Sequence, residues 1–159
     1  MSPSPNTKIE HITIIDAPIE KVWEKLIDIH TWDTWNKWTL LNADDAVKGR
    51  NGKLMACFDG NDEWKSYDFT FGEVDSQTHT LCWFGSVGPR GCLFHGNHTM
   101  KLEEIKSEND GPSTTTRLIH TEKFSGLLPR VKMGLPYQKL DRNYQLMNEA
   151  LKSSIENVK

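Results

Sequence analysis

LPYQKLDRNYQLMNEALKSSIENV, residues 135–158, is the stretch that decides the architecture. Leu140, Tyr144, Met147, Leu151, Ile155 and Val158 recur at spacings of four, three, four, four and three. That is the period of one helical face, and it predicts a long amphipathic helix closing the chain. Arg142, Gln145, Glu149, Lys152 and Glu156 fall on the opposite face, which is expected to be solvated. No other segment carries a helical pattern of this length. Most of what precedes it has the texture of strands, so a sheet is expected to wrap around this helix.

Upstream, residues 1–7 (MSPSPNT) are small, polar and proline-rich and read as a disordered tail. Residues 8–159 are expected to form a single domain, and a chain of 159 residues can bury a core without staples. IEHITII at 9–15 is a β-branched run and reads as the first strand. Pro18 fits the first helical position and Glu20 the first turn, so Pro18–Asp28 is a short helix with Val22, Trp23, Leu26 and Ile27 as its apolar face. Trp32, Trp35 and Trp38 at three-residue spacing predict a second short helix.

From Leu40 to Gly126 turn signals recur near residues 48–52, 59–62, 75–77, 88–91 and 109–112. Strand-like runs lie between them at Lys53–Phe58, Trp64–Val74, Thr80–Val87, Cys92–Ile105 and Thr114–Phe124, with one more before Gly49. Short connections between successive strands imply an antiparallel meander. The expected fold is α+β: a curved seven-stranded antiparallel sheet gripping the C-terminal helix, with two short helices after the first strand. A curved sheet held off a helix leaves room between them for a ligand.

Composition narrows the function classes. A formal charge of −3 with no basic run makes nucleic acid an unlikely partner on electrostatic grounds. The three cysteines, Cys57, Cys82 and Cys92, lack CxxC spacing and read as reduced thiols. No apolar run reaches the length of a transmembrane segment, and a cytoplasmic location is the expectation. Six Trp, six Phe and three Tyr supply large apolar bodies for a core or a pocket.

Three stretches together resemble the START-like superfamily, also called SRPBCC, with its helix-grip fold. APIEKVWEKLIDIHTWDTWNKW at 17–38 is similar to the family's opening strand–helix–helix. GCLFHGNHTMKLEEI at 91–105 followed by TTTRLIHTEKFSGLLP at 114–129 resembles polyketide cyclase/dehydrase-like members. YQLMNEALKSSIE at 144–156 is similar to the closing helix. Two features depart from the pattern: Lys37 stands where many members have proline, and Gly134-Leu135-Pro136 is placed to break or kink the start of the closing helix. The resemblance implies a binding, transport, cyclase or regulatory role, and no shared catalytic set comes with the fold.

The residues themselves nominate a site. In the strand at 92–105, Phe94, Gly96, His98, Met100 and Leu102 share the apolar, inward face, and His95 points outward. In the next strand Leu118, His120, Glu122 and Phe124 share a face. A turn centred near 109 sets His98 opposite His120, and one near 110 sets it opposite Glu122; both gather His98, His120 and Glu122 on one wall. Such a cluster can satisfy itself as a structural unit, anchor a ligand's polar group, or transfer a proton. The candidate catalytic residues are therefore His98, His120 and Glu122. The candidate ligand contacts are Phe69, Phe71, Phe94, His98, Met100, His120, Glu122, Tyr144 and Met147. No cofactor and no metal is expected, because the HxxH pair His95 and His98 points to opposite faces of its strand and no thiolate or further acid is suitably spaced. The orientation of Trp83 stays open. Alternation through the turn at 75–77 groups it with Phe71, whereas the turn at 88–91 groups Phe84 with Phe94, and both hold only with a bulge in that region. The resulting expectation is a binder of a small hydrophobic or amphipathic molecule (lipid, polyketide, aromatic or isoprenoid). The alternatives are a cyclase/dehydratase-type enzyme using the same His and Glu, and a ligand-free adaptor or co-chaperone.

Overall fold

The computed structural model describes residues 8–87, 94–109, 111–126 and 137–157. Strand β1 (Lys8–Ile15) leads into helix α1 (Ile19–Ile27) and a 3-10 helix (Ile29–Thr34). Then follow β2 (Thr39–Asn42), β3 (Asn51–Ala56), β4 (Lys65–Asp75), β5 (Thr80–Val87), β6 (Phe94–Ile105), β7 (Thr115–Ser125) and helix α2 (Tyr137–Glu156). The element order is the expected one. The expected tail at 1–7, the turn at 88–91, Cys92, the side chain of Phe94, the break at Pro136 and Val158 lie outside the described residues.

The seven strands form one antiparallel sheet in the order β1-β7-β6-β5-β4-β3-β2. Strands β2 to β7 are a meander, and β1 adds to the far side of β7. The 3-10 helix explains the three-residue tryptophan spacing. At three residues per turn Ile29, Trp32 and Trp35 superimpose on one face, and all three are buried. Asn36, also buried, then ends the turn: its Oδ1 accepts from the backbone of Trp38 and Thr39, at 2.9 and 3.1 Å, and its Nδ2 donates to Thr39 O at 2.6 Å.

Helix α2 crosses the concave side and runs alongside β1 in the same direction. Tyr137 Oη donates to Lys8 O (3.0 Å), His11 Nε2 meets Asp141 Oδ1 (2.9 Å), and Asn148 Nδ2 donates to Thr13 Oγ1 (3.1 Å). Lys152 Nζ donates to Ile14 O (2.6 Å), and Asp16 N to Glu156 Oε1 (2.7 Å). The 20 residues of α2, at ~1.5 Å each, match the 8 residues of β1 at ~3.3 Å each, so the contacts stay in step along both elements. Polar side chains thereby occupy main-chain groups of an edge strand that would otherwise offer a template for pairing. The expected solvated face holds, with Arg142, Gln145, Glu149 and Glu156 exposed, and two of its members, Lys152 and Glu156, also reach the end of β1 and Asp16.

The interior divides in two. The main core joins α1, the 3-10 helix, the sheet centre and the Met147–Ile155 part of α2 through Val22, Leu26, Trp32, Phe71, Leu81, Leu118 and Leu151, among others. A smaller cluster of Ile9, Phe124, Leu140 and Tyr144, with Phe58 and Tyr137 packed against it, sits at the other end of α2.

Candidate functional site

The sheet register arranges the concave wall in rows. One row reads Phe71, Trp83, His98, Glu122, Ile9 across β4, β5, β6, β7 and β1. The next, deeper row reads Val74, Leu81, Met100, His120, His11. The β6–β7 hairpin therefore takes the register that sets His98 opposite Glu122. His120 lies opposite Met100, one row further in.

One local irregularity, with the β5–β6 register, settles Trp83. Near its turn the β4–β5 hairpin pairs Asp75 with Thr80 and Val74 with Leu81, a register that would carry Phe71 to Phe84. A bulge between Phe71 and Val74 absorbs one residue, so Phe71 instead faces Trp83. Between β5 and β6 the pairing is Trp83 with His98 and Phe84 with Asn97. Phe94 pairs with Val87, so the expected grouping of Phe84 with Phe94 does not form. Trp83 points inward at 1% exposure and stacks on the His98 ring, with centroids 4.1 Å apart and planes 13° from parallel.

The polar cluster has a definite hydrogen-bond order. Asn148 Nδ2 donates to Thr13, and its Oδ1 lies 2.6 Å from His120 Nδ1. His120 Nδ1 therefore carries the proton and donates to Asn148. In its neutral form His120 leaves Nε2 as an acceptor, and Nε2 bonds to His98 Nε2, which must donate. His98 Nδ1 then faces Glu122 Oε2 at 3.3 Å. This is a close imidazole–carboxyl contact. Its alignment is not that of a hydrogen bond, and Glu122 Oε2 remains buried without a hydrogen-bond partner. Trp83 Nε1 in the same row is also unpartnered.

Burial sets the charge states. Desolvation, then the neighbouring His98, drives the His120 pKa well below its ordinary value, against the opposing pull of Asn148. Desolvation, with the charge of Glu122 and a hydrogen bond to it, holds the Tyr144 phenol well above its own. Tyr144 lies over both imidazoles, 4.7 Å from His98 and 5.0 Å from His120 between centroids. Exposure is graded across the group: His120 and Asn148 are at 0%, His98 at 3%, Tyr144 at 6% and Glu122 at 8%. Glu122 is the least buried member of the group. Among the described residues no group of three or more His, Cys, Asp or Glu side chains is arranged to hold a metal ion.

The structure thus brings His98, His120, Glu122 and Tyr144 together. Phe69, Phe71, Met100 and Met147 lie in the main core, each at 3% exposure or less, where packing accounts for their burial. The Phe94 side chain is outside the described residues. Asn148 is the member that sequence reasoning missed. Its signal was an asparagine on the buried stripe of α2, beside Met147 and four residues before Lys152, and a second, Asn143, lies on the same stripe. Asn143 Nδ2 donates to Phe58 O at 3.1 Å and ties α2 to the segment after β3.

The protein has the helix-grip, START-like fold: a curved seven-stranded antiparallel sheet around a C-terminal helix, with short helices after the first strand. Solved structures of the same fold make the point. A hypothetical protein from Helicobacter pylori aligns over 98% of this chain and 92% of its own, with TM-score 0.73 and 14% identity. The Zhui aromatase/cyclase from Streptomyces sp. R1128 aligns over 94% of this chain and 93% of its own, with TM-score 0.72 and 14% identity. Truncated norcoclaurine synthase from Thalictrum flavum aligns over 96% and 94%, with TM-score 0.67 and 15% identity. No protein-family model and no curated protein matches the sequence. Among the described residues no helix is long and apolar enough to cross a membrane.

Proposed function

We propose that this protein binds a small hydrophobic or amphipathic molecule between the curved sheet and α2, with Glu122, His98 and Tyr144 as its polar anchor. The observation that carries this reading is Glu122 Oε2. It contacts His98 Nδ1 at 3.3 Å but has no aligned hydrogen bond, and a buried acceptor left so costs about 1–3 kcal/mol. The cost is offset when a ligand supplies the missing donor. The fold supports the reading in general terms, since neighbours sharing it are named aromatase/cyclase and norcoclaurine synthase. The apolar contacts then come from the end of the interior where Tyr144, Leu140, Phe124 and Ile9 cluster.

Native mass spectrometry of the purified protein tests this directly. A co-purifying small molecule, or saturable uptake of a neutral apolar dye such as Nile red, is the expected result. Neither being found, at protein concentrations up to ~100 µM where even weak pockets of ~10⁻⁴ M show occupancy, sinks the reading and leaves the adaptor alternative.

A second reading has one observation in its favour. His98 contacts the Glu122 carboxyl at 3.3 Å and bonds to a neutral His120, a juxtaposition of acid and base groups that a cyclase/dehydratase-type enzyme needs to move protons on a carbonyl substrate. Under it, Glu122→Gln and His120→Ala abolish turnover while ligand uptake persists. If ligand uptake persists and no carbonyl substrate is turned over by the unmodified protein, binding alone is the activity.

A further inference from the structure

The sheet has two edges, and they are protected unequally. β2 is four residues long. β1 is eight, pairs with β7 without a bulge along its whole length, and contains no proline or glycine. A long, regular, β-branched edge is a template for a further strand. The main-chain groups of Lys8, Glu10, Ile12 and Ile14 face away from β7. Leu102 N bonds to His79 O, so even positions of β6 face β5, and alternation across β7 turns the even positions of β1 outward. The ties from α2 agree, since they reach Lys8 O, Ile14 O and Asp16 N. They hold only the ends of the edge. Among the described residues, Glu10 and Ile12 in the middle have no main-chain partner on that side. Their neighbourhood is apolar too: Ile12 and Ile14 stand on the convex face at 58% and 44% exposure.

We infer that β1 pairs antiparallel with β1 of a second copy of this chain, about a two-fold axis through Ile12, so that two sheets join edge to edge. Charge selects both the occupant and the register. On an axis through Glu10, two glutamates face each other. On an axis through Thr13, Glu10 faces the partner's Asp16. Like charges directly opposite destabilise a strand pair. On an axis through His11, Lys8 and Glu10 face isoleucines and no charge is matched. Through Ile12, isoleucine meets isoleucine, Glu10 meets the partner's Ile14, and Lys8 meets the partner's Asp16, an exposed residue of opposite charge. Lys8, bonded to Glu10 of its own strand at 2.8 Å, thereby gains a second carboxylate. The two Ile12 residues exchange both main-chain bonds, and each Glu10 exchanges its own with the partner's Ile14. Ile14 O keeps Lys152 as a second donor, because a carbonyl has two lone pairs. Strand addition of this kind draws its affinity from main-chain hydrogen bonds. A two-fold contact closes on itself, so assembly stops at the dimer.

Sedimentation of the full chain across about 1 to 200 µM tests the assembly. Wild type is expected to be a dimer at the upper end of that range. Ile12→Asp, which sets two carboxylates on the axis, should weaken it at least about tenfold while keeping the wild-type circular dichroism spectrum. Cross-linking tests the register. Ile12→Cys under mild oxidation should give a disulfide-linked dimer, because the Cα atoms of a hydrogen-bonded antiparallel pair lie about 5.5 Å apart, within disulfide reach. Wild type, with its own cysteines, and Ile14→Cys should give none. A monomer throughout the range overturns the inference, as does a dimer undiminished by Ile12→Asp or a species larger than a dimer. Glu10→Cys linking as readily as Ile12→Cys overturns it as well. Should Ile12→Asp not fold, the cross-linking series decides.

Discussion

The two ends of α2 carry the same apolar stripe into different interiors. From Met147 to Ile155 the helix meets a closed core of Leu118, Leu81, Val22, Leu26 and the tryptophans of the 3-10 helix, with Met147 and Leu151 at 0% exposure. From Leu140 to Tyr144 it meets a small cluster of Ile9 and Phe124 and the polar row of His98 and Glu122. The first end has the composition of a stabilising core. The second is buried as well but sets titratable groups, His98, His120 and Glu122, beside its apolar side chains. Within one domain, then, stability and ligand chemistry are separated along a single helix, and His120 with Asn148 forms the boundary.

Mutations can break or sharpen that contrast. The largest effect belongs to the closed end. Leu151→Ala should lose about 2–5 kcal/mol in urea unfolding, because the cavity is walled by α1 and the sheet and cannot collapse freely. A comparable loss from Tyr144→Phe, which only removes a hydroxyl beside Glu122, would erase the distinction. Next comes the boundary. Asn148→Ala leaves His120 Nδ1 and Thr13 without their buried partner and should cost about 1–3 kcal/mol. A milder loss would mean that water replaces the amide.

The boundary also predicts a pH dependence. His120 has its folded pKa well below the ordinary value of about 6.5, so below that pH the unfolded chain takes up a proton that the folded protein refuses. Stability contributed by neutral His120 is complete above about pH 6.5 and is lost as pH falls towards its folded pKa, by up to about 1.4 kcal/mol per pH unit. Tyr144 acts at the other extreme: its raised pKa removes stability as pH climbs past about 10. A melting-temperature profile of wild type against His120→Gln checks the acid limb, which should flatten in the variant. An unchanged limb would place the titration elsewhere.

The smallest effect lies on the strap between α2 and β1. Lys152→Ala removes a partly exposed tie to Ile14 O and Glu156 and should cost less than about 1 kcal/mol, with hydrogen exchange rising first in β1. Exchange rising first in α1 would show that the strap does not hold the edge.

Local patterns were enough for the elements. Alternation in LFHGNHTMKL and RLIHTEKF placed His98, His120 and Glu122 inward, and the 3-4-4-3 spacing placed α2, because these signals depend on neighbours two to four residues away. They were not enough for register. His98 could face His120 or Glu122 until the hairpin was closed, since a shift of two residues preserves every inward face. Trp83 hung on a bulge at Gly72–Glu73, a one-residue event with no mark in the alternation itself. Asn148 was passed over because its partners, His120 and Thr13, lie 28 and 135 residues away.

The order of elements and the inward faces of β6 and β7 follow from the periodicity of burial along the chain, and the motif resemblance added the helix-grip fold. Tertiary structure alone decided the rest. It set the rows across five strands, joined Lys152 and Glu156 to Ile14 and Asp16, and left Glu122 Oε2 without an aligned hydrogen bond. The physical reason is that burial is encoded one residue at a time, whereas hydrogen-bond satisfaction and empty space are properties of groups from distant strands meeting at one place.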